Sequence, residues 1–289
     1  MSQQAAVELR RILVPVDGSE GADAALDHAI SLAGAVGAEI RLLSVVDPYV
    51  LSTVTERKEV EEELEAVVEE AAARVRDTGV EASTAVETGF PHEEILDTVA
   101  DDDIDLVAMG THGRRGLQRF VLGSVAEKVV RLSPVPVLTV RTGATGRSPY
   151  ENIVVPTDGS DAALPAERLG VNLTGQFDAV AHALSVVPKG RIRSSETVEA
   201  QEEAARKAVD RVVALGDAAG VRVEEAVEHG VPHRVIVDYC ESLDADLAVL
   251  GTHGRTGVER FVLGSVAEKV LRLSETPVLV VPSGWEARE

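Results

Sequence analysis

The feature that most constrains this chain is that it repeats itself once, in full. Ile12-Leu-Val-Pro-Val-Asp17-Gly-Ser19 returns as Ile153-Val-Val-Pro-Thr-Asp158-Gly-Ser160. Gly110-Thr-His-Gly-Arg114 returns unchanged from Gly251, and the ten residues Phe120 to Val129 return unchanged from Phe261 to Val270. All three pairs share one offset of 141 residues. A single offset across separated segments means that a whole domain was copied, and it excludes a short solenoid unit. The 289-residue length suits two such domains, expected over 7–142 and 150–283. Between them Gly143-Ala-Thr-Gly-Arg-Ser-Pro149 has the Gly, Ser and Pro content of a boundary.

Each half alternates strand and helix signals. In the first half, strands are predicted over 11–16, 39–46, 81–87, 105–109 and 136–140. Helices are predicted over about 20–36, 56–76, 91–101 and 124–132. The second helix has the clearest pattern, with Val60, Leu64, Val67, Val68, Ala71 and Val75 on one face and charge elsewhere. Alternation of this kind implies an α/β fold: two tandem doubly wound domains, each a five-stranded parallel sheet with helices on both faces and strand order 3-2-1-4-5. Ligands in such folds bind beyond the carboxyl ends of the strands where the winding reverses, here between strands one and four. Asp17-Gly18 and Gly110 lie at those two ends.

After strand four the chain reads Gly110-x-x-Gly113, nine residues, then Gly123-Ser124, and the second half reads Gly251-x-x-Gly254, nine residues, Gly264-Ser265. Glycine lets backbone N–H groups approach phosphate oxygens. The helix that starts at Ser124 adds its N-terminal amides and dipole, and the serine hydroxyl adds a hydrogen bond. Ordinary turn and capping glycines are the plain alternative. The strand before, the helix after and the acidic residue of strand one beside the loop favour a phosphate site. Neither a Walker A sequence nor a Gly-x-Gly-x-x-Gly fingerprint is present.

The Asp-Gly-Ser after strand one, the Gly-x2-Gly-x9-Gly-Ser loop and the terminal Pro-Val-Leu strand together resemble the universal stress protein family, in its ATP-binding branch. The resemblance implies ATP as ligand, with Mg or Mn held through phosphates and water rather than by protein ligands. It places Asp17 and Asp158 near the ribose and base, and the backbone of Val45 and Val186 against adenine. Gly110, Gly113, Gly123 and Ser124 match its ribose- and phosphate-contacting positions, as do Gly251, Gly254, Gly264 and Ser265. Val125 and Val266 follow with further N–H groups. It also implies domain pairing through the last strands, 135–140 and 276–281, as an internal pseudo-dimer or between two chains.

Other readings stand beside these. Asp17 and Asp158 could serve only as helix caps, since each precedes a helix. Val45 and Val186 are expected to be core strand residues. His112 and His253 sit in the loops without a second ligand nearby, so a loop or phosphate-side role is expected rather than catalysis. His92 and His233 are expected to cap helices or lie exposed, and Cys240 to lie in the core. A slow ATPase or a phosphoryl- or adenylyl-transferring enzyme could use the same loops, with Arg114, Arg115, Arg119, Arg255 and Arg260 supplying charge, but no motif supplies a base. A scaffold that has lost nucleotide is the third reading, and the intact loops oppose it. A binding module is therefore expected rather than an enzyme.

Charge narrows the partners. Acidic residues outnumber basic ones 49 to 28, a net charge of -21, which opposes nucleic-acid and membrane-surface binding. Only five basic residues are lysine (Lys58, Lys128, Lys189, Lys207 and Lys269), and an acidic, lysine-poor surface reads as adaptation to high salt. No apolar run reaches membrane-spanning length and the first ten residues carry no secretory pattern. With a single cysteine, a cytoplasmic location is expected.

Overall fold

A computed structural model describes residues 8–48, 54–113, 122–144, 149–189, 195–252, 254 and 263–287. The chain divides into two compact units, one from Glu8 and one from Pro149. The first contains β1 (Arg11–Pro15), α1 (Glu20–Val36), β2 (Glu39–Val46), α2 (Val54–Asp77), β3 (Ala82–Thr88), α3 (Pro91–Asp101), β4 (Leu106–Gly110), α4 (Ser124–Leu132) and β5 (Val137–Val140). The second repeats this as β6 (Asn152–Pro156), α5 (Leu164–Phe177), β7 (Val180–Pro188), α6 (Ser195–Ala219), β8 (Val223–Gly230), α7 (Pro232–Ser242), β9 (Leu247–Gly251), α8 (Ser265–Leu273) and β10 (Val278–Val281). One difference is a short 3-10 turn, Asp161–Ala163, ahead of α5.

Within the first unit the strands run β3-β2-β1-β4-β5, all pairs parallel. Within the second they run β8-β7-β6-β9-β10, again all parallel. The central strands are almost wholly apolar because helices cover both faces. Ile12, Leu13, Val14, Leu106, Val107 and Ala108 are all fully buried. β3 and β8 end their sheets and carry mixed, partly exposed residues.

The helices form where periodicity and caps agree. Ser19 caps α1 by accepting from the Ala22 amide, and Gly37 closes it in the left-handed region. Its buried residues Ala22, Ala25, Leu26, Ala29, Leu32 and Ala33 recur at helical spacing. In α2 the anticipated stripe is buried at Leu64, Val68, Ala71 and Val75, joined by Ala72, while Val60 and Val67 lie at its margin. Arg74 of α2 bridges Asp23 and Asp27 of α1 at 2.7 and 2.6 Å. Cys240 is buried in α7, as expected, and burial pushes its thiol up to about 12.

One device ties strand starts together in both units. Asp105, buried just before β4, accepts from the amides of Arg10 and Arg11 at 2.8 and 3.0 Å. Asp246 does the same for Glu151 and Asn152 at 2.7 and 3.0 Å. The carboxylate therefore fixes where the first strand of each unit enters beside the fourth. Removing it leaves two amides without their acceptor, so Asp105→Ala or Asp246→Ala is expected to lower stability by about 2–4 kcal/mol in urea unfolding, with Asn milder. Cys240 is expected to resist a thiol reagent at pH 8 until the chain is unfolded, because the folded thiol stays protonated.

Candidate functional site

In the second unit a cleft of about 330 Å³ opens beyond the carboxyl ends of β6, β7 and β9. β6 pairs with both β7 and β9, so this is where the winding reverses. Asp158, Val186, Gly251, Gly254, Gly264, Ser265 and Val266 all line it. The sequence placed these seven on three separate segments, and the fold brings them around one space. Its volume falls in the range of small-ligand pockets. Asp158 is the only charged side chain among the described residues that line it.

The anion-attracting groups lie at the helix start. Gly264 is the N-cap of α8 and its extended backbone leads into Ser265. The first intrahelical bond is Glu268 N–H to Gly264 O, at 2.9 Å. The amides of Ser265, Val266 and Ala267 therefore have no partner within the helix. The same holds in α4, where Glu127 bonds to Gly123 at 2.8 Å and the amides of Ser124, Val125 and Ala126 precede it. The amides of Gly123 and Gly264 are themselves engaged within the chain. The Gly123 amide donates to Thr111 O at 2.8 Å and that of Gly264 to Thr252 O at 2.7 Å. A Cβ on Gly123 would sit 2.9 Å from the same oxygen. The missing side chain of Gly123 makes room for that contact, and the three residues after each glycine carry amides with no partner within the helix.

Gly110 also has a packing role. A Cβ there would lie 2.6 Å from the Gly21 carbonyl carbon and 2.7 Å from its oxygen, so the glycine lets α1 touch β4. Gly113 is different: a Cβ would come within 2.6 Å of Asp17 Oδ2, and Gly254 meets Asp158 Oδ2 at the same distance. The loop and the strand-one carboxylate are thus neighbours in both units.

Asp17 and Asp158 are not helix caps. The N-cap of α1 is Ser19, and Asp17 Oδ1 accepts from the Ser19 amide at 3.0 Å and its hydroxyl at 2.6 Å. Asp158 holds Ser160 in the same two bonds. Gly18 and Gly159 between them have φ of 76° and 77°, a conformation that favours glycine. Val45 and Val186 are only half-buried, with Ser44, Val46, Ser185 and Val187 buried around them, which corrects their placement in the core.

The histidines divide. His112 Nδ1 lies 3.0 Å from Thr111 Oγ1, and its buried Nε2 has no hydrogen-bond partner among the described residues. His92 is neither cap nor exposed: the N-cap of α3 is Phe90, and His92 Nε2 lies 3.2 Å from Lys128 Nζ. His233 is held below the usual imidazole range by burial first, then by Lys269 and Arg234. His253, Arg114, Arg115, Arg119, Arg255 and Arg260 lie outside the described residues. No group of three His, Cys, Asp or Glu side chains among the described residues could hold a metal ion.

Several residues of the cleft carry no signal that sequence reading used. Pro232 and Ile236 of α7 and Ala205 of α6 add apolar lining, and Gln201 of α6 adds an amide. Thr157, Glu167 and Arg211 form a polar network behind Asp158. A comparison of Thr157 with Val16, at the 141-residue offset, could have marked that network as new to the second copy.

These features define a doubly wound α/β protein with an anion-attracting helix start at its winding reversal. The universal stress protein family matches residues 8–141 and 149–282, and the chain belongs to that family. It is similar to a universal stress protein of Mycolicibacterium smegmatis, 30% identical over 93% of this chain and 96% of that one. One of Methanocaldococcus jannaschii is 39% identical over 47% of this chain and 84% of its own. The crystal structure of a universal stress protein from Archaeoglobus fulgidus covers 94% of this chain and 96% of its own, with a TM-score of 0.73 at 27% identity.

Gly110→Ala is expected to lower the melting temperature, because overpacking against Gly21 costs about 1–3 kcal/mol with no flexible side chain to give way. Gly34→Ala, where a Cβ meets nothing within 4 Å, is the control that should not destabilise.

Proposed function

We propose that each copy binds ATP and that the chain is a nucleotide-dependent stress-response or signalling module rather than an enzyme. The observation that carries this is the second cleft, where Asp158 and the donor-bearing start of α8 face one space of about 330 Å³. On this reading the triphosphate lies against the amides of Ser265, Val266 and Ala267, and of Ser124, Val125 and Ala126 in the first copy. Asp158 and Asp17 accept from the ribose, with Gly254 and Gly113 beside them. The base meets the apolar lining, where the backbone of Val186, or Val45, presents donors and acceptors that distinguish adenine from guanine. Mg²⁺ or Mn²⁺ is carried on the phosphates and their water.

Binding can alter contact with a partner only if ATP favours one arrangement of the protein over another. Domain limits near 7–142 and 150–283, a cytoplasmic setting and an acidic surface suited to high salt belong to the same proposal. No described helix is long and apolar enough to cross a membrane. We also propose that the last strands, 135–140 and 276–281, serve domain pairing within the chain or between two chains; gel filtration at high salt distinguishes 30.6 kDa from twice that.

Calorimetric titration with ATP at molar salt is expected to release heat, and saturation at a hundred times Kd to stabilise the chain by about 2.7 kcal/mol per site. The double variant Ser124→Glu, Ser265→Glu places carboxylates where phosphates would sit and is expected to abolish both effects. Absence of heat and of any melting shift in the unmodified chain overturns the reading. Single-turnover hydrolysis well above background would overturn the choice of binding module over enzyme.

A further inference from the structure

The second copy contains a buried ion pair that the first does not. Glu167 on α5 is completely buried, and Arg211 on α6 holds it through Nε to Oε2 at 2.7 Å and a second guanidinium nitrogen to Oε1. The same guanidinium donates to the carbonyls of Gly159 and Ser160, at 3.3 and 2.9 Å. Thr157 completes the network: its hydroxyl donates to Glu167 and accepts from the Gly159 amide at 3.0 Å. The turn that carries Asp158 is therefore gripped by both its N–H and C=O groups.

At the 141-residue offset the first copy has Val16, Leu26 and exposed Glu70 in place of Thr157, Glu167 and Arg211. Its turn relies on Ser19, whose hydroxyl also receives the Ala22 amide at 3.3 Å; Ser160 makes no such cap bond. Stability alone does not account for the pair, because a buried ion pair is commonly no more stable than apolar residues of similar volume. Its particular effect is geometric. It fixes two successive carbonyls, and with them the peptide plane that orients the Asp158 carboxylate.

We propose that Arg211 is a positioning residue for the second cleft, so that the two copies bind ATP with unequal affinity and the second fills first. The inference rests on the ATP reading above. A turn already locked in its binding conformation loses no affinity to ordering, whereas one that is competent a tenth of the time binds tenfold more weakly.

The test uses the full chain. Ser124→Glu blocks the first site and Ser265→Glu the second, and a carboxylate is well tolerated at a helix N-terminus. Titration with Mg-ATP is expected to show the second site, measured in S124E, binding about tenfold more tightly than the first, measured in S265E. Adding T157V, E167L and R211E to S124E installs the first copy's own residues. It is expected to lower affinity about tenfold, to the S265E level, with the nucleotide-free melting temperature changed by only a few degrees. Hydrogen exchange of the unmodified, nucleotide-free chain gives a second measurement that needs no substitution: the Gly159 amide should exchange more slowly than that of Gly18. Equal affinity in S124E and S265E, tight binding retained by the folded combined variant, or equal exchange at the two glycines overturns the inference. Failure of the unmodified chain to take up ATP overturns the ATP reading itself and this inference with it. Equal binding by both sites sinks only the positioning role.

Discussion

Everything at the candidate site depends on one backbone contact, the bond from the Gly123 amide to Thr111 O and its twin from Gly264 to Thr252 O. The contact sets the start of the following helix beside the end of the fourth strand. At Gly123 it works only because the residue has no Cβ to strike the carbonyl. Once the contact is made, the following helix must begin at the winding reversal with its first amides outward. The positive end of a helix dipole then faces the same space as the strand-one carboxylate.

The sheet was legible because its strands are buried on both faces and read as short apolar runs between strong helices. The boundaries of α1, α3 and α4 follow from caps, Pro91 and periodicity, and these local signals agree with the tertiary packing. The site was legible as a set of positions, since glycine spacing survives duplication. The work done by each glycine was not. Gly110 is dictated by contact with Gly21, 89 residues earlier, which no local pattern encodes. His92 was misplaced for the same reason: its neighbour Lys128 lies on a different helix. The alternative reading of Asp17 as a cap rested on its distance to the helix, but Ser19 intervenes and takes that role.

The two copies are alike where backbone geometry is demanding and different where side chains can substitute for one another. Both use an aspartate to gather the amides at the start of their first strand, and both place a left-handed glycine after the site carboxylate. The turn beyond that glycine is secured by a hydroxyl cap in one copy and by a guanidinium in the other.

That last difference has an evolutionary side. An assembly of identical subunits receives every mutation at all of its sites at once, so a change that sharpens one site sharpens every other. Joining two copies in a single polypeptide removes that symmetry. Glu167 and Arg211 could arise in one half while Leu26 and Glu70 persisted in the other, leaving one gene product with two candidate sites that can be tuned apart and are always made in equal number.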